Sequence, residues 1–155
     1  MQSQLSSSLQ VHQQLLLDWQ ELVQSANHAF IACQYDVALA SYQAAELTCA
    51  NQMSMLLSNK LDDVSINHFA HCAAAWVVTM HNIADCLTAK NLLAQASLQL
   101  YHAYEAMTRL TLHRNSDIAK IATRQSHRCY QQWLQHGVTS EAALSDSPLA
   151  SRVLH

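Results

Sequence analysis

The sequence predicts an all-α protein, and three features of its composition and patterning support this. The 155 residues include one glycine and one proline, although strand bulges and most tight turns depend on these two residues. Apolar residues make up 50% of the chain and recur at intervals of three and four, the spacing of one buried helical face. Such a length and apolar content suit a single domain with one compact core.

The first two helices are predicted within residues 5–58. Helix one begins near Leu5, with the serines at 6–8 as its N-cap, and ends near Gln34. Helix two covers about 36–58. Two long helices joined by a short link predict an antiparallel hairpin. The predicted buried positions are Leu9, His12, Leu16, Trp19, Leu22, Ala26, Ala29 and Cys33 in the first helix, and Ala38, Tyr42, Ala45, Cys49, Met53 and Leu56 in the second.

A second hairpin is predicted from the next two stretches of regular spacing. Asp63 or Ser65 can cap a third helix that extends to about Lys90, and a fourth helix covers about 92–112. The buried face of the third helix is predicted at Phe69, Ala73, Trp76, Met80, Ile83 and Leu87.

A fifth helix is predicted after the polar stretch "HRNSD", with Ser116 or Asp117 as its cap and Gly137 as its C-terminal cap. The domain is therefore expected over residues 1–137, followed by a polar, frayed tail over 138–155. The predicted buried face of this helix is Ile118, Ile121, Ala122, Cys129 and Trp133.

The composition also argues against most enzyme classes. Gly137 alone cannot supply a dinucleotide fingerprint, a Walker loop or a nucleophile elbow, and no helical His-Glu-x-x-His occurs. We therefore expect a protein that is not an enzyme. The five cysteines indicate reduced packing residues and a cytoplasmic location, and the start of the chain does not resemble a signal peptide. With a net charge of −3 and no long apolar run, neither nucleic acid nor a membrane is an expected partner.

The stretch "HFAHCAAAWVVTMHN", residues 68–82, raises the question of a metal site. His71 and His81 are about 15 Å apart along a helix and cannot bind the same ion, whereas His68 and Cys72 are one turn apart. Two ligands do not complete a structural zinc site, so no metal or other cofactor is expected, although a partner helix could add His102 or His113. A metal-handling or small hydrolytic protein using His68, Cys72, His81 and Asp85 remains an alternative.

The segment "ANHAFIACQYDVALASYQAAEL" resembles a tetratricopeptide repeat. It has small residues at Ala26 and Ala29 in one helix, Tyr35 at the turn, and Ala38 and Ala45 in the next helix. Alanines at a helix crossing let two backbones approach closely. A second copy fits "HNIADCLTAKNLLAQASLQLYHAYEAM", 58 residues later, whereas the usual period of the family is about 34. Cys33 and Asn91 replace the usual turn glycine.

The resemblance implies a superhelix of hairpins whose concave groove binds a peptide or a partner helix. It further implies a carboxylate clamp, in which Asn27 and Asn82 take the asparagine positions, and Lys120 and Arg124 the last cationic ones. The expected partner is then a protein or peptide with an acidic end or a C-terminal carboxylate. Val23 stands where the clamp's first lysine belongs. The expected groove residues are Asn27, Phe30, Val78, His81, Asn82, Asp85, Lys120 and Arg124.

Self-association is another alternative. Apolar side chains near the end of the second helix could pack against a second copy and form a homodimer, although core positions would suit them equally. These residues are Met53, Met55, Leu56 and Leu57.

Overall fold

The computed structural model describes residues 2–145, which form five α-helices. They are α1 (Gln2–Ile31), α2 (Tyr35–Ser58), α3 (Asp63–Ala89), α4 (Leu93–Leu110) and α5 (Ser116–Ser145). No β-strand occurs in this part of the chain. The predicted all-α fold is confirmed. None of the helices between residues 2 and 145 combines the length and the apolarity that crossing a bilayer requires.

The helices pack in two layers. Each helix contacts the next one along the chain, α1 also contacts α3, and α3 also contacts α5. Within residues 2–145, no Cα atom of α2 lies within 8 Å of a Cα atom of α4. One layer, which we call the inner layer, therefore consists of α1, α3 and α5. The second layer consists of α2 and α4. This arrangement confirms the predicted hairpins with an additional C-terminal helix.

The turns after α1 and α3 have the same backbone geometry. Cys33 has φ 58° and Asn91 has φ 61°, so both occupy the left-handed region that usually favours glycine. The amide of Gln34 donates to the carbonyl of Ala29, and that of Leu92 to Leu87, each at 2.8 Å. Both bonds close a Schellman motif, and they lie 58 positions apart, as the overlay of the two segments requires.

Small residues occupy the predicted helix crossings. In the first hairpin Ala26, Ala38 and Ala45 have 0% of their surface exposed. Their counterparts in the second hairpin, Ala84, Ala96 and Ala103, are 2% exposed or less. Each side chain contacts protein on all sides, so no space remains there for a larger residue. The largest fully buried side chains of the described residues include Phe69, Met107 and Ile118.

Three predicted N-caps are wrong. α1 begins at Gln2, so the serines at 6–8 lie inside the helix on its exposed side. The cap of α3 is Asp62, whose carboxylate accepts from the Ser65 amide at 2.8 Å. The side chain of Asn115 accepts from the amides of residues 117 and 118 and thereby caps α5. In the last two cases the capping residue lies just before the predicted one, since several neighbouring residues have suitable side chains.

The predicted end of α5 at Gly137 is also wrong. The helix continues to Ser145, and a Cβ added at Gly137 would meet no atom within 4 Å. One helical glycine costs only about 1 kcal/mol, and the alanines and leucine that follow favour the helix. Residues 138–145 of the predicted tail are therefore helical, and 146–155 lie outside the described residues.

The five cysteines are all free, and four of them are buried. Burial raises the pKa of Cys49 to about 12 and those of Cys72, Cys86 and Cys129 to about 11. Cys33, predicted to lie on the buried face of α1, is instead exposed in the turn. The helix ends at Ile31, and the left-handed backbone directs the chain away from the core.

Replacing Cys33 by glycine is expected to stabilise the protein by up to about 1 kcal/mol. The left-handed backbone costs a residue with a side chain about 1 to 2 kcal/mol, and the greater freedom of glycine in the unfolded chain offsets part of the gain. Asn91→Gly should give a smaller gain because asparagine tolerates this conformation. Urea unfolding measures both changes. A loss of stability in both variants would contradict the positive φ at these turns.

Candidate functional site

A small polar pocket opens on the inner layer between α1 and α3. Its volume is about 190 Å³, and it is lined by Asn27, Phe30, Tyr42, Asn82 and Asp85. Residues three apart on a helix share a face, so α1 contributes the first two residues and α3 contributes the last two. Half of the predicted groove residues thus meet in one place, which we call the asparagine pocket.

Tyr42 forms the floor of the asparagine pocket. Its side chain is buried, and its hydroxyl donates to Oδ1 of Asn27. Burial raises the pKa of Tyr42, so the phenol keeps its proton at neutral pH. Phe30 makes an edge contact with Tyr35, with ring centroids 5.3 Å apart. Sequence reasoning assigned Tyr42 to the core alone, because spacing predicts burial and not where a hydroxyl points.

Asp85 brings a carboxylate to this pocket. One side of its side chain is exposed, but the surrounding protein removes enough water to raise its pKa, and nearby His136 partly offsets this. No lysine or arginine within residues 2–145 lies at ion-pair distance from Asp85. The lysine and arginine ion pairs in that range join Lys90 to Asp36 and Arg109 to Glu105.

His81 lies on the side of α3 that faces α5. Its Nε2 is buried without a hydrogen-bond partner, and burial, together with the charge of Arg128, lowers its pKa to about 4. Two turns further along α3, Oγ1 of Thr88 lies 3.3 Å from Nε2 of His136. Arg128 is thus the α5 cation whose charge acts on His81. Sequence reasoning missed it, because which of the α5 cations faces α3 depends on the rotation of α5 about its axis.

An apolar pocket lies one helical turn before the asparagine pocket along α3. It has a volume of about 380 Å³ and is lined by residues of α1 and α3. Val78 lies here, one helical turn before Asn82. The Trp19 ring is held in place because its Nε1 donates to Thr79 Oγ1 at 2.9 Å. The lining residues are Leu16, Trp19, His71, Ala74, Ala75 and Val78.

The two predicted clamp cations stand apart from these pockets. Lys120 and Arg124 are exposed on α5, and neither lines the asparagine pocket or the apolar pocket. The structure thus brings together the two asparagines of the predicted clamp but does not place its two cations beside them.

The chain matches no family model, no curated protein and no solved structure. The resemblance to tetratricopeptide repeats stays a prediction from the sequence.

The four residues of the metal-handling or hydrolytic alternative do not form one site. Cys72 and His81 are nine residues apart on α3, about 14 Å along the helix. His68 instead stacks on His12 of α1, with ring centroids 3.6 Å apart. Among residues 2–145 no group of three histidine, cysteine or acidic side chains is arranged to hold a metal ion. The absence of a bound metal stays a prediction.

A larger groove of about 630 Å³ lies between α4 and α5, and sequence reasoning missed it. Tyr104, Tyr130 and Leu134 line it, and rings of Tyr101 and Trp133 extend the aromatic surface. No periodicity indicates such a groove, because its shape depends on how α4 and α5 rotate relative to one another, which the spacing within either helix does not determine. The apolar residues of the self-association alternative are elsewhere: Met53 is buried, Leu56 and Leu57 pack against the core, and Met55 is 60% exposed.

Proposed function

We propose that this protein is a non-enzymatic interaction module that binds a peptide or a partner helix on the inner face of α1, α3 and α5. One observation carries the proposal: the asparagine pocket and the apolar pocket follow one another along α1 and α3, with Val78 of one pocket a single helical turn before Asn82 of the other. Ligand sites commonly combine an apolar surface with a few convergent polar groups. The inner face is also the surface that the tetratricopeptide resemblance assigns to ligand binding.

The spacing of the two pockets suits a short peptide. Val78 and Asp85 are seven residues apart on α3, about 10 Å along the helix axis. Three residues of an extended peptide cover the same distance, since each spans about 3.3 Å. One apolar side chain can therefore enter the apolar pocket while a polar group reaches the asparagine pocket.

The chemistry of the site supports binding in preference to catalysis. Cys86, adjacent in sequence to Asp85, is buried with a pKa of about 11, and the thiolate is the reactive form of cysteine. The low pKa of His81 is set by burial and by Arg128, and its Nε2 contacts no nucleophile. The free cysteines suit a reducing compartment, and a cytoplasmic location is part of this proposal.

A random peptide library displayed on phage tests the proposal. Peptides selected on the wild type should bind at least about ten-fold more weakly to Val78→Arg, because a charge in the apolar pocket costs more than about 1.4 kcal/mol. Leu98→Arg is the matched control, since Leu98 is 54% exposed on α4, outside the inner layer. Circular dichroism verifies that both variants fold. Equal weakening by both variants, or by neither, would place the ligand elsewhere.

A further inference from the structure

We infer that the asparagine pocket binds a cationic group of the partner, the ammonium of a lysine or the guanidinium of an arginine side chain. This inference rests on the proposed function and names the ligand chemistry of one of its two pockets.

The charge of the pocket points to a cation. Asp85 is the one charged residue of its lining, and no lysine or arginine among residues 2–145 forms an ion pair with it. His136 of α5 acts on Asp85 in the direction that lowers its pKa. A partly desolvated carboxylate gains most from a donor that carries charge, because charge-assisted hydrogen bonds are the stronger kind.

The hydrogen-bond direction at Tyr42 also favours a donor ligand. Tyr42 uses its proton on Oδ1 of Asn27, so its oxygen can only accept a bond from any further group. The Asn27 carbonyl oxygen keeps a second lone pair, and the Asn82 amide can offer either its oxygen or its NH2 group to a ligand. An ammonium has three donors and a guanidinium has five, whereas a carboxylate has none.

Size and surface agree with this assignment. About 190 Å³ equals the liquid volume of about six water molecules, enough for the end of one long side chain but too small for a helix. Phe30 supplies an aromatic ring, and cations bind favourably over such rings. A carboxylate ligand, which the clamp resemblance implies, would meet the negative charge of Asp85 at the same point.

Short peptides of defined charge test the inference. Five-residue peptides, acetylated and amidated, share one leucine for the apolar pocket and differ in one position that carries lysine, arginine, norleucine, citrulline or glutamate. The lysine and arginine peptides should bind at least about ten-fold more tightly than their neutral counterparts, norleucine and citrulline. Comparing the lysine peptide with the arginine peptide shows which cationic group the pocket prefers. NMR titration should also shift the side-chain amides of Asn27 and Asn82.

Two variants locate the effect. Asp85→Asn should abolish the preference for cationic peptides, while Asp117→Asn, an exposed change at the start of α5, should preserve it. If peptides bind without a cationic preference, or if the glutamate peptide binds best, the inference is overturned and the proposed function stands. A preference that survives Asp85→Asn, or binding that leaves both asparagines unshifted, overturns the inference alone. If none of these peptides binds and the phage library yields no ligand, both are overturned.

Discussion

Lowering the pH from 7 to 4 is expected to reduce the free energy of unfolding by several kcal/mol. The pKa of His12 falls to about 4 because the ring is buried and lies beside His68 and His71, and that of His81 also falls to about 4. In the unfolded chain both groups return to about 6.5. Between pH 6.5 and 4 the unfolded state therefore binds more protons than the folded state, and stability decreases as the pH falls.

The size of the effect follows from the two shifts. For each histidine the pKa falls from 6.5 to about 4, and this difference of about 2.5 units corresponds to at most about 3.4 kcal/mol of unfolding free energy. We expect a loss of about 2 to 3 kcal/mol from each histidine. His68, whose pKa is also lowered, adds to this loss. Asp85 has a raised pKa and therefore acts in the opposite sense. Urea unfolding at half-unit pH steps measures the sum.

His12→Phe isolates the contribution of one ring. Phenylalanine can keep the stacking on His68 but does not titrate, so the stability of the variant should depend less on pH between 6.5 and 4. It should also be more stable by about 1 to 2 kcal/mol at pH 7, because both ring nitrogens of His12 are buried without partners. His102→Phe, an exposed change on α4, is the control. An unchanged pH dependence in His12→Phe would contradict the assignment.

Enlarging Ala38 or Ala96 to leucine is expected to destabilise the protein by about 1 to 3 kcal/mol in each case. Both alanines have 0% of their surface exposed and lie at equivalent crossings of the two hairpins. Additional methylene groups there force the helices apart or the side chain into a strained rotamer. The midpoint of urea unfolding measures the loss.

Exposed alanines on the same helices provide the controls. Ala44→Leu in α2 and Ala94→Leu in α4 make the identical change where the side chain meets solvent, and should alter stability by about 0.5 kcal/mol or less. A buried variant that unfolds at the same urea concentration as its control would show that its crossing has room for a larger residue.

Local pattern was enough to predict the five helices, most of their buried positions and the two equivalent turns. Ala26 and Ala84, for example, follow from small residues at regular spacing, and a spacing can be read along the chain. Leu9 and Cys33 were wrongly predicted to be buried: Leu9 is 43% exposed, and Cys33 is exposed in the turn. The end of α5 was predicted wrongly. The position at which a helix ends depends on free-energy differences of only about 1 kcal/mol from single residues such as Gly137.

The composition of the candidate site could be predicted only in part. Asn27 and Asn82 were placed together by overlaying two segments, so their meeting in one pocket followed from the repeat pattern. The stacking of His12 on His68 joins residues 56 positions apart, and no spacing within one helix indicates it. The roles of Tyr42 and Arg128 likewise depend on how neighbouring helices rotate about their axes, which apolar periodicity determines only roughly.

The distribution of the thiols makes this chain suitable for selective chemical labelling. Cys33 is the exposed cysteine, and the other four are buried with pKa values of about 11 or 12, so they react slowly at neutral pH. A maleimide fluorophore should therefore attach at one position of the natural sequence. That position is three residues beyond Phe30, which lines the asparagine pocket, so we expect the dye's emission to report on occupancy of that pocket.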